Sequence, residues 1–166
     1  MKKDQFFSEN LISWYKKNKR NLPWRKNVND ENYPYKVMVS EFMLQQTGVS
    51  TVIPYFENFI NRWPTIVSLA SAREEDILLA WQGLGYYRRA RNLLKSAKQI
   101  CNQYDSKVPT SLEELQSLPG VGVYASGAIR SIAFDKKAVA VDGNVKRVLA
   151  RYYGFSGRLD QNEKLI

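Results

Sequence analysis

The sequence predicts an all-α fold, and three observations support this class. Apolar residues recur at helical spacing along most of the 166 residues. Glycine and proline clusters separate these stretches, and none of the stretches pairs with another as alternating strands would. The composition, 44% hydrophobic and 13% aromatic, can supply a packed core. We therefore expect short helices joined by tight turns.

Three helices are predicted in the first part of the chain. Residues 5–17 place apolar groups on one stripe, whereas residues 20–34 are polar and rich in turn formers. Residues 35–47 (YKVMVSEFMLQQT) are apolar around nearly the whole circumference, which predicts a helix buried on most sides. Residues 49–62 form the third helix.

Five more helices are predicted in the rest of the chain. They cover residues 74–82, 86–104, 111–117, 123–134 and 144–153. Acidic residues open the first of them and favour its dipole, and Ser111 with Glu114 matches a capping box. Residues 138–141 (AVAV) are too short for a sheet and predict an extended lead-in to the last helix. Residues 163–166 resemble the opening of a further helix.

Charge and composition narrow the classes of function. Lys and Arg number 25 against 16 Asp and Glu, and this net charge of +9 indicates a polyanionic partner such as nucleic acid. The chain has no histidine and one cysteine, Cys101. These counts exclude histidine-dependent triads and zinc sites, an internal disulfide and a self-contained iron–sulfur cluster. Acid–base chemistry must therefore use Asp, Glu, Lys or Tyr.

Apolar runs are all shorter than a membrane span, and the first residues lack the apolar stretch of a signal peptide. We therefore expect no membrane partner. The expected location is cytoplasmic, with the nucleoid if the source is bacterial.

Glu41 fits a purely structural helix poorly. With Gln45, one turn later, it forms a narrow polar strip flanked by Val37 and Met38. Burial in such a place raises the pKa of a carboxyl group, and a carboxylic acid that is neutral near pH 7 can act as a general acid. The alternative is a carboxylate that points to solvent or pairs with an arginine.

Two turns carry further candidate residues. Residues 118–122 (LPGVG) precede a helix and match a helix–hairpin–helix turn, whose backbone N–H groups can bind one DNA phosphate. An ordinary glycine turn between helices is the alternative. Asp142 fits the N-cap of the last helix, and it equally fits a carboxylate that stabilises a developing cation at the mouth of a site.

The segment 82–91 (QGLGYYRRAR) sets aromatic residues beside arginines. Tyr86 can stack on bases or wedge between them, and Arg88, Arg89 and Arg91 can contact phosphates. The alternative is a glycine loop followed by a solvated basic helix face.

Five segments together resemble one family. They are VSEFMLQQT (39–47), VIPYFENF (52–59), WQGLGYYRRARNL (81–93), LPGVG (118–122) and VDGNVKRVLAR (141–151). In this order they resemble the MutY-type adenine DNA glycosylases of the helix–hairpin–helix superfamily. The resemblance implies base excision repair, in which adenine mispaired with 8-oxoguanine or guanine is removed from double-stranded DNA.

The resemblance also implies roles for individual residues. Glu41 matches the catalytic acid that protonates a flipped adenine. Asp142 matches the aspartate that stabilises the cationic sugar, directly or through a covalent intermediate, and Asn144 matches a residue that supports this aspartate. Gln46 and Tyr86 match residues that enter the base stack. Three positions match the lining of the adenine pocket: Trp24, Arg25 and Leu44.

Tyr124 distinguishes this resemblance from that to endonuclease III-type enzymes. Those enzymes have a lysine at this place, which forms a Schiff base and cleaves the strand, and a tyrosine cannot do so. Tyr124 therefore favours a monofunctional glycosylase that binds DNA backbone through Gly120, Val121 and Gly122. Two alternatives stay open: a thymine–guanine mismatch glycosylase, which can also have tyrosine here, and a catalytically weak DNA-binding fragment.

The family resemblance implies a division of the catalytic region, residues 1–166, into two lobes. Residues 22–134 would form a six-helix lobe with the hairpin, and residues 1–21 and 135–166 would form parts of a second, truncated lobe. The complete family protein continues with four cysteines that hold a 4Fe-4S cluster, which this chain alone cannot bind. The first and last predicted helices would then expose apolar faces, through which the chain can self-associate.

Overall fold

The computed structural model describes residues 2–155, with side chains from residue 4 onward. This part of the chain is all-helical, which confirms the predicted class. Its α-helices are α1 (Lys2–Asn18), α2 (Tyr33–Leu44), α3 (Val49–Arg62), α4 (Ile66–Ala70), α5 (Glu74–Ala80), α6 (Arg88–Gln103), α7 (Leu112–Ser117), α8 (Val123–Phe134) and α9 (Gly143–Tyr153). The helix expected to begin at residues 163–166 lies outside the described residues. None of the described helices combines the length and apolar character needed to cross a bilayer.

Helix α2 lies at the centre of the molecule. Nine of its 12 residues are buried, which agrees with the apolar residues around its whole circumference. It packs against α3, α6 and α8, and against a short 3₁₀ helix, Pro23–Arg25. The Tyr35 hydroxyl donates a hydrogen bond of 2.8 Å to the Trp63 carbonyl oxygen, which satisfies this buried polar group. The nine buried residues of α2 are therefore held on several sides.

The remaining inner helices pack around α6 and α8. Helices α4 and α5 lie against α6, and α7 lies against α8. Helix α4 was not predicted, because five residues are too few to show a helical period. Thr65 nevertheless forms a reciprocal capping box with Ser68 at its start.

Several predicted helix bounds differ from the observed ones. Helix α2 begins at Tyr33 rather than at residue 35, α5 ends at Ala80 rather than at residue 82, and α6 spans Arg88–Gln103 rather than 86–104. Helix α2 ends at Leu44 rather than at residue 47, because Gln46 adopts a left-handed conformation with a φ of 59°. At α7 the Ser111 hydroxyl accepts a 3.1 Å hydrogen bond from the Glu114 N–H, as in a capping box. The Glu114 carboxylate, however, accepts from the Ser111 hydroxyl at 2.7 Å instead of from the backbone.

Residues 138–141 lead into α9 without forming a sheet, as predicted. The segment also crosses α8, which was not predicted. Gly127 makes this crossing close: a Cβ atom at Gly127 would lie 2.1 Å from the Val139 carbonyl oxygen. Real Cβ atoms do not approach an oxygen so closely, so only glycine fits here. The close approach fixes where Asp142, at the end of the segment, comes to lie.

Helices α1 and α9 contact each other at the edge of the molecule. The Phe7 and Tyr152 rings are 4.3 Å apart, and the Tyr153 hydroxyl donates a 3.0 Å hydrogen bond to Asp4. Large apolar side chains remain exposed on both helices: Phe6, Leu11, Ile12, Trp14, Val148 and Tyr153. The predicted exposed apolar faces are thus confirmed, whereas the division into two lobes stays a prediction.

Candidate active site

A cleft of about 1000 Å³ opens beside α2, α8 and the start of α6. It brings together most of the residues that the sequence predicts for the site. Those that line it are Trp24, Arg25, Glu41, Leu44, Gln46, Tyr86, Arg88, Arg89, Gly122, Tyr124 and Asp142. Four predicted residues are not part of this lining: Arg91, Gly120, Val121 and Asn144.

Glu41 projects from α2 into this cleft and is 9% exposed. Burial raises the pKa of its carboxyl group to about 7, and the positive charge of Arg25 acts in the opposite direction. Within the described residues, Glu41 forms no ion pair. The burial of this side chain agrees with the desolvated carboxyl group expected from the sequence and excludes the solvent-facing alternative.

Asp142 enters the cleft from the other side and is fixed by local hydrogen bonds. Its Oδ1 atom accepts from the backbone N–H groups of Val145 at 2.8 Å and Asn144 at 2.9 Å, and its Oδ2 atom accepts from the Asn144 side chain at 3.0 Å. These bonds, that from Val145 first, lower the pKa of the Asp142 carboxyl group. Asp142 is thus the N-cap of α9 and an ionised group of the cleft at once.

Tyr124, in the first turn of α8, is electrostatically coupled to both carboxyl groups. Partial burial raises the pKa of its phenol, and the charges of Glu41 and Asp142 raise it further. Two carboxyl groups with oppositely shifted pKa values in one cleft provide a proton donor and a permanent anion. The arrangement can therefore protonate a leaving group and stabilise a cation.

Gln46 and Tyr86 are exposed at the rim of the cleft, and their backbones share an unusual conformation. Their φ angles are 59° and 49°, in the left-handed region that side-chain-bearing residues adopt rarely. Tyr86 is 64% exposed, which leaves its ring open to a partner. Such strain persists only where neighbouring groups hold the backbone, and it often marks functional loops.

The three arginines of the basic segment have different environments. Arg88 is exposed beside the cleft, and Arg91 forms an ion pair of 2.8 Å with Glu74 at the surface. The predicted contact of Arg89 with a DNA phosphate is wrong, because this side chain is only 6% exposed. The two terminal nitrogens of its guanidinium donate to carbonyl oxygens of the protein, including that of Met43 at 2.7 Å, so these two groups are already occupied.

The hairpin turn lies next to the cleft and is held by α2 and α6. Gly120 has a φ of 82°, and a Cβ there would meet Asn92 and Phe42 at 2.8 Å and 3.0 Å. Gln45 donates a 3.2 Å hydrogen bond to the Gly120 carbonyl oxygen. Gly122 is the N-cap of α8 and carries no side chain to cap its first-turn N–H groups, which suits an anion.

Several residues of the cleft were not predicted from the sequence. Arg20, Tyr87 and Asn92 line it, and Gly127 positions the segment that carries Asp142. Asn92 lies one helical turn after Arg88, and this spacing could have placed it on the same helix face as Arg88. Nothing in the sequence indicates that Gly127 meets a backbone from elsewhere in the chain.

Side chains that could bind a metal are few in this cleft, where Glu41 and Asp142 are the acidic lining residues. The described residues contain no group of three or more His, Cys, Asp or Glu side chains that could hold an ion. A 4Fe-4S cluster requires four thiolates, and Cys101 is the only cysteine of the chain. The residues of this chain therefore do not fit such a cluster.

The fold and its cleft define a helical protein with a hairpin turn beside two carboxyl groups. Comparison with known proteins identifies the family: the profile of the "HhH-GPD superfamily base excision DNA repair protein" matches residues 39–165. The chain belongs to this superfamily.

Curated relatives confirm the resemblance to the MutY type. An adenine DNA glycosylase of Buchnera aphidicola subsp. Schizaphis graminum is 46% identical over 158 residues, which are 95% of this chain and 44% of the relative. An adenine DNA glycosylase of Rattus norvegicus is 51% identical over 150 residues, which are 87% of this chain and 29% of the relative. The chain thus spans less than half the length of these relatives.

Solved structures support the fold. A thermostable thymine-DNA glycosylase is similar with a TM-score of 0.84 and 28% identity, over 96% of this chain and 71% of that one. An endonuclease III in a non-covalent complex with DNA is similar with a TM-score of 0.74. Its 22% identity, over 98% of this chain and 75% of that one, shows a shared fold only.

Proposed function

We propose that this chain is the catalytic region of a monofunctional DNA glycosylase, which hydrolyses the N-glycosidic bond of adenine mispaired with 8-oxoguanine or guanine. One observation carries the proposal: Glu41 has a pKa of about 7, whereas the pKa of Asp142 in the same cleft lies below its usual range. The adenine DNA glycosylases among its relatives support the choice of base.

The proposed reaction begins with extrusion of adenine from the duplex, since the bond cannot be reached within the base stack. The base enters the cleft beside Trp24, Arg25 and Leu44. Glu41 donates its proton to N7, the C1′–N9 bond breaks, and its electron pair leaves with the adenine. The ionised Asp142 stabilises the cationic sugar that remains.

Water completes the hydrolysis. Its oxygen bonds to C1′ while Asp142, held by Asn144, helps to orient it. The proton released from this water returns to the Glu41 carboxylate, so the site regains its starting state. Tyr124 cannot form a Schiff base with the sugar, and the strand therefore stays intact at an abasic site.

Double-stranded DNA with a mismatched adenine is the proposed partner. Gln46 and Tyr86 would enter the base stack, because both are exposed at the rim of the cleft. The backbone N–H groups around Gly120, Val121 and Gly122 would bind one phosphate, with Arg88 nearby. We place Arg91 at the same surface, where its ion pair with Glu74 competes with phosphate. The net charge of +9 favours this partner, and the cytoplasmic or nucleoid location stays part of the proposal.

A glycosylase assay tests the proposal. Duplexes with adenine opposite 8-oxoguanine, guanine or thymine are incubated with the protein, and abasic sites are revealed by alkali. We expect adenine release without strand cleavage from the first two duplexes, and its loss in Glu41→Gln and Asp142→Asn. Glu57→Gln and Asp135→Asn, at exposed positions, serve as matched controls. Release that survives both active-site changes would refute the mechanism.

A thymine–guanine mismatch glycosylase is the second candidate, because the thymine-DNA glycosylase structure is similar over most of its chain. A duplex with thymine opposite guanine distinguishes the two. Release of thymine but not adenine would favour this candidate. Binding of all duplexes without release from any would instead identify a catalytically weak DNA-binding fragment.

A further inference from the structure

Arg89 is a buried cation that the proposed chemistry does not use. It lies in the first turn of α6, is 6% exposed and forms no ion pair with the described residues. A buried guanidinium is costly unless its donors are satisfied, so the partners of Arg89 indicate its task.

The two terminal nitrogens of Arg89 hold two separate loops. Nη1 donates to the carbonyl oxygens of Met43 at 2.7 Å and Phe42 at 3.4 Å, and also to that of Gln45. Nη2 donates to those of Leu84 and Gly85, both at 3.1 Å. One planar group thus joins the C-terminal end of α2 to the loop before α6.

Each of these loops continues directly into an exposed residue with a left-handed backbone. Gln46 follows Gln45, and Tyr86 follows Gly85. The guanidinium carbon of Arg89 also lies 5.6 Å from the centre of the Tyr86 ring, within cation–π range. The same cation therefore fixes the approach of the chain to both residues.

We propose that Arg89 is a positioning residue that holds Gln46 and Tyr86 as one preformed element for insertion into the base stack. The inference rests on the proposed function for its consequence in catalysis. The positive charge at the carbonyl end of α2 favours the helix dipole, and the fork shape joins the two loops. Lysine keeps the charge but replaces the planar fork with a single point of attachment.

A double-mutant cycle tests this positioning role. Single-turnover adenine release and duplex affinity are measured for the wild type, Arg89→Lys, Gln46→Ala/Tyr86→Ala, and the combined variant. We expect Arg89→Lys to slow release about ten- to hundredfold, the loss that a misplacement of about 1 Å causes. In the Gln46→Ala/Tyr86→Ala background the same change should cost less than about twofold, because the residues through which it acts are gone.

Arg62→Lys is the matched control, since Arg62 is an exposed arginine that pairs with Asp76 at 3.0 Å, away from the cleft. It should leave the rate unchanged. An Arg89→Lys effect of equal size in both backgrounds would overturn the proposal, because Arg89 would then act by another route.

Amide hydrogen exchange tests the joining of the loops without reference to catalysis. Arg89→Lys should speed exchange in residues 42–48 and 83–87 together, while exchange in α4 stays as in the wild type. Faster exchange in only one of the two segments, or in neither, would overturn the proposal. A wild type that releases no adenine would refute the proposed function, whereas the exchange result would still decide the role of Arg89.

Discussion

The two sides of the cleft place a carboxyl group in opposite environments. Glu41 stands on α2, where packing on several sides removes its carboxyl group from water. Asp142 stands at the end of an extended segment, where neighbouring N–H groups take the place of water. Burial raises the pKa of the first carboxyl group, and hydrogen bonding lowers the pKa of the second.

The difference shows how much of the fold each pKa depends on. The pKa of Asp142 is lowered mainly by hydrogen bonds from Asn144 and Val145, two consecutive residues at the start of α9. The pKa of Glu41 depends on α3, α6 and α8 closing around α2. Perturbation of the packing should therefore change the pKa of Glu41 far more than that of Asp142.

The largest effect is expected from Glu41→Gln. Loss of a general acid should slow adenine release about 10²- to 10⁴-fold. The stability of the Glu41→Gln variant should instead exceed that of the wild type. The raised pKa means that the folded state binds this proton more tightly, so wild-type stability falls as the pH rises from 4.5 towards about 7. Glutamine escapes this penalty, and the variant should gain about 2–3 kcal/mol on the wild type between pH 5 and pH 8.

Urea unfolding at both pH values measures that gain. Glu57→Gln, with its exposed side chain, should show no such dependence on pH. If the Glu41→Gln variant and the wild type kept the same stability difference at pH 5 and pH 8, Glu41 would not be the buried neutral acid.

Asp142→Asn should slow release about 10²- to 10³-fold, since it removes the anion that stabilises the cationic sugar. Thermal stability should hardly change, because asparagine caps a helix about as well as aspartate. Asp142→Ala should lose activity and also about 1 kcal/mol of stability, because the cap is gone. Thermal melts beside single-turnover rates separate the two roles. A large loss of stability in Asp142→Asn would show that capping depends on the charge.

Gly127→Ala tests whether the close crossing of α8 positions the extended segment that carries Asp142. The new Cβ must push the Val139 backbone away, and the displaced Asp142 should cost about ten- to hundredfold in rate. Gly143→Ala is the matched control: it adjoins Asp142, yet a Cβ there meets nothing within 4 Å. Equal rates for the two variants would show that the close crossing of α8 does not position Asp142.

Above neutral pH, the rate of single-turnover release should depend on the protonation of Glu41 alone. Because the acid must be protonated and its pKa is about 7, the rate should fall about twenty- to thirtyfold from pH 6.5 to pH 8.5. On the acid side the rate should hold to a pH below the usual range of aspartate, since the pKa of Asp142 is lowered. A rate independent of pH up to 8.5 would assign the proton to another group.

The smallest effect is expected outside the cleft. Trp14 is 60% exposed on α1, and Trp14→Gln should weaken self-association about severalfold, because it removes apolar surface from the contact. Sedimentation velocity over a range of concentrations measures this. The pH profile of adenine release should not change. A monomeric wild type at all concentrations would refute self-association.

Much of the fold could be predicted from local patterns. The apolar circumference of α2 predicted its burial and the environment of Glu41, and the order of residues at Asp142 predicted its cap. The end of α2 could not be predicted, because Arg89, more than forty residues away in sequence, binds its last carbonyl groups. The role of Gly127 could not be predicted for the same reason, because its partner is a backbone oxygen that folding brings near.

The site followed from pattern and resemblance together. Spacing alone indicated Glu41 and left a solvent-facing carboxylate open, and only packing excluded it. The role of Gln46 came from the resemblance, and that of Tyr86 from the resemblance and from its place beside arginines. Their left-handed backbones have no signature in these residue types. Arg89 shows the opposite error: beside Arg88 in the sequence it is typical of a DNA contact, yet helical geometry turns it inward.

The four tryptophans give the molecule a built-in optical reporter. Trp24, Trp63 and Trp81 are at most 6% exposed, whereas Trp14 stands in solvent on α1. Dissolved iodide should therefore quench the red-shifted part of the emission and leave the rest. Anything that settles on the face of α1 should shift this emission to the blue and shield it, so an unlabelled sample reports when that helix is covered.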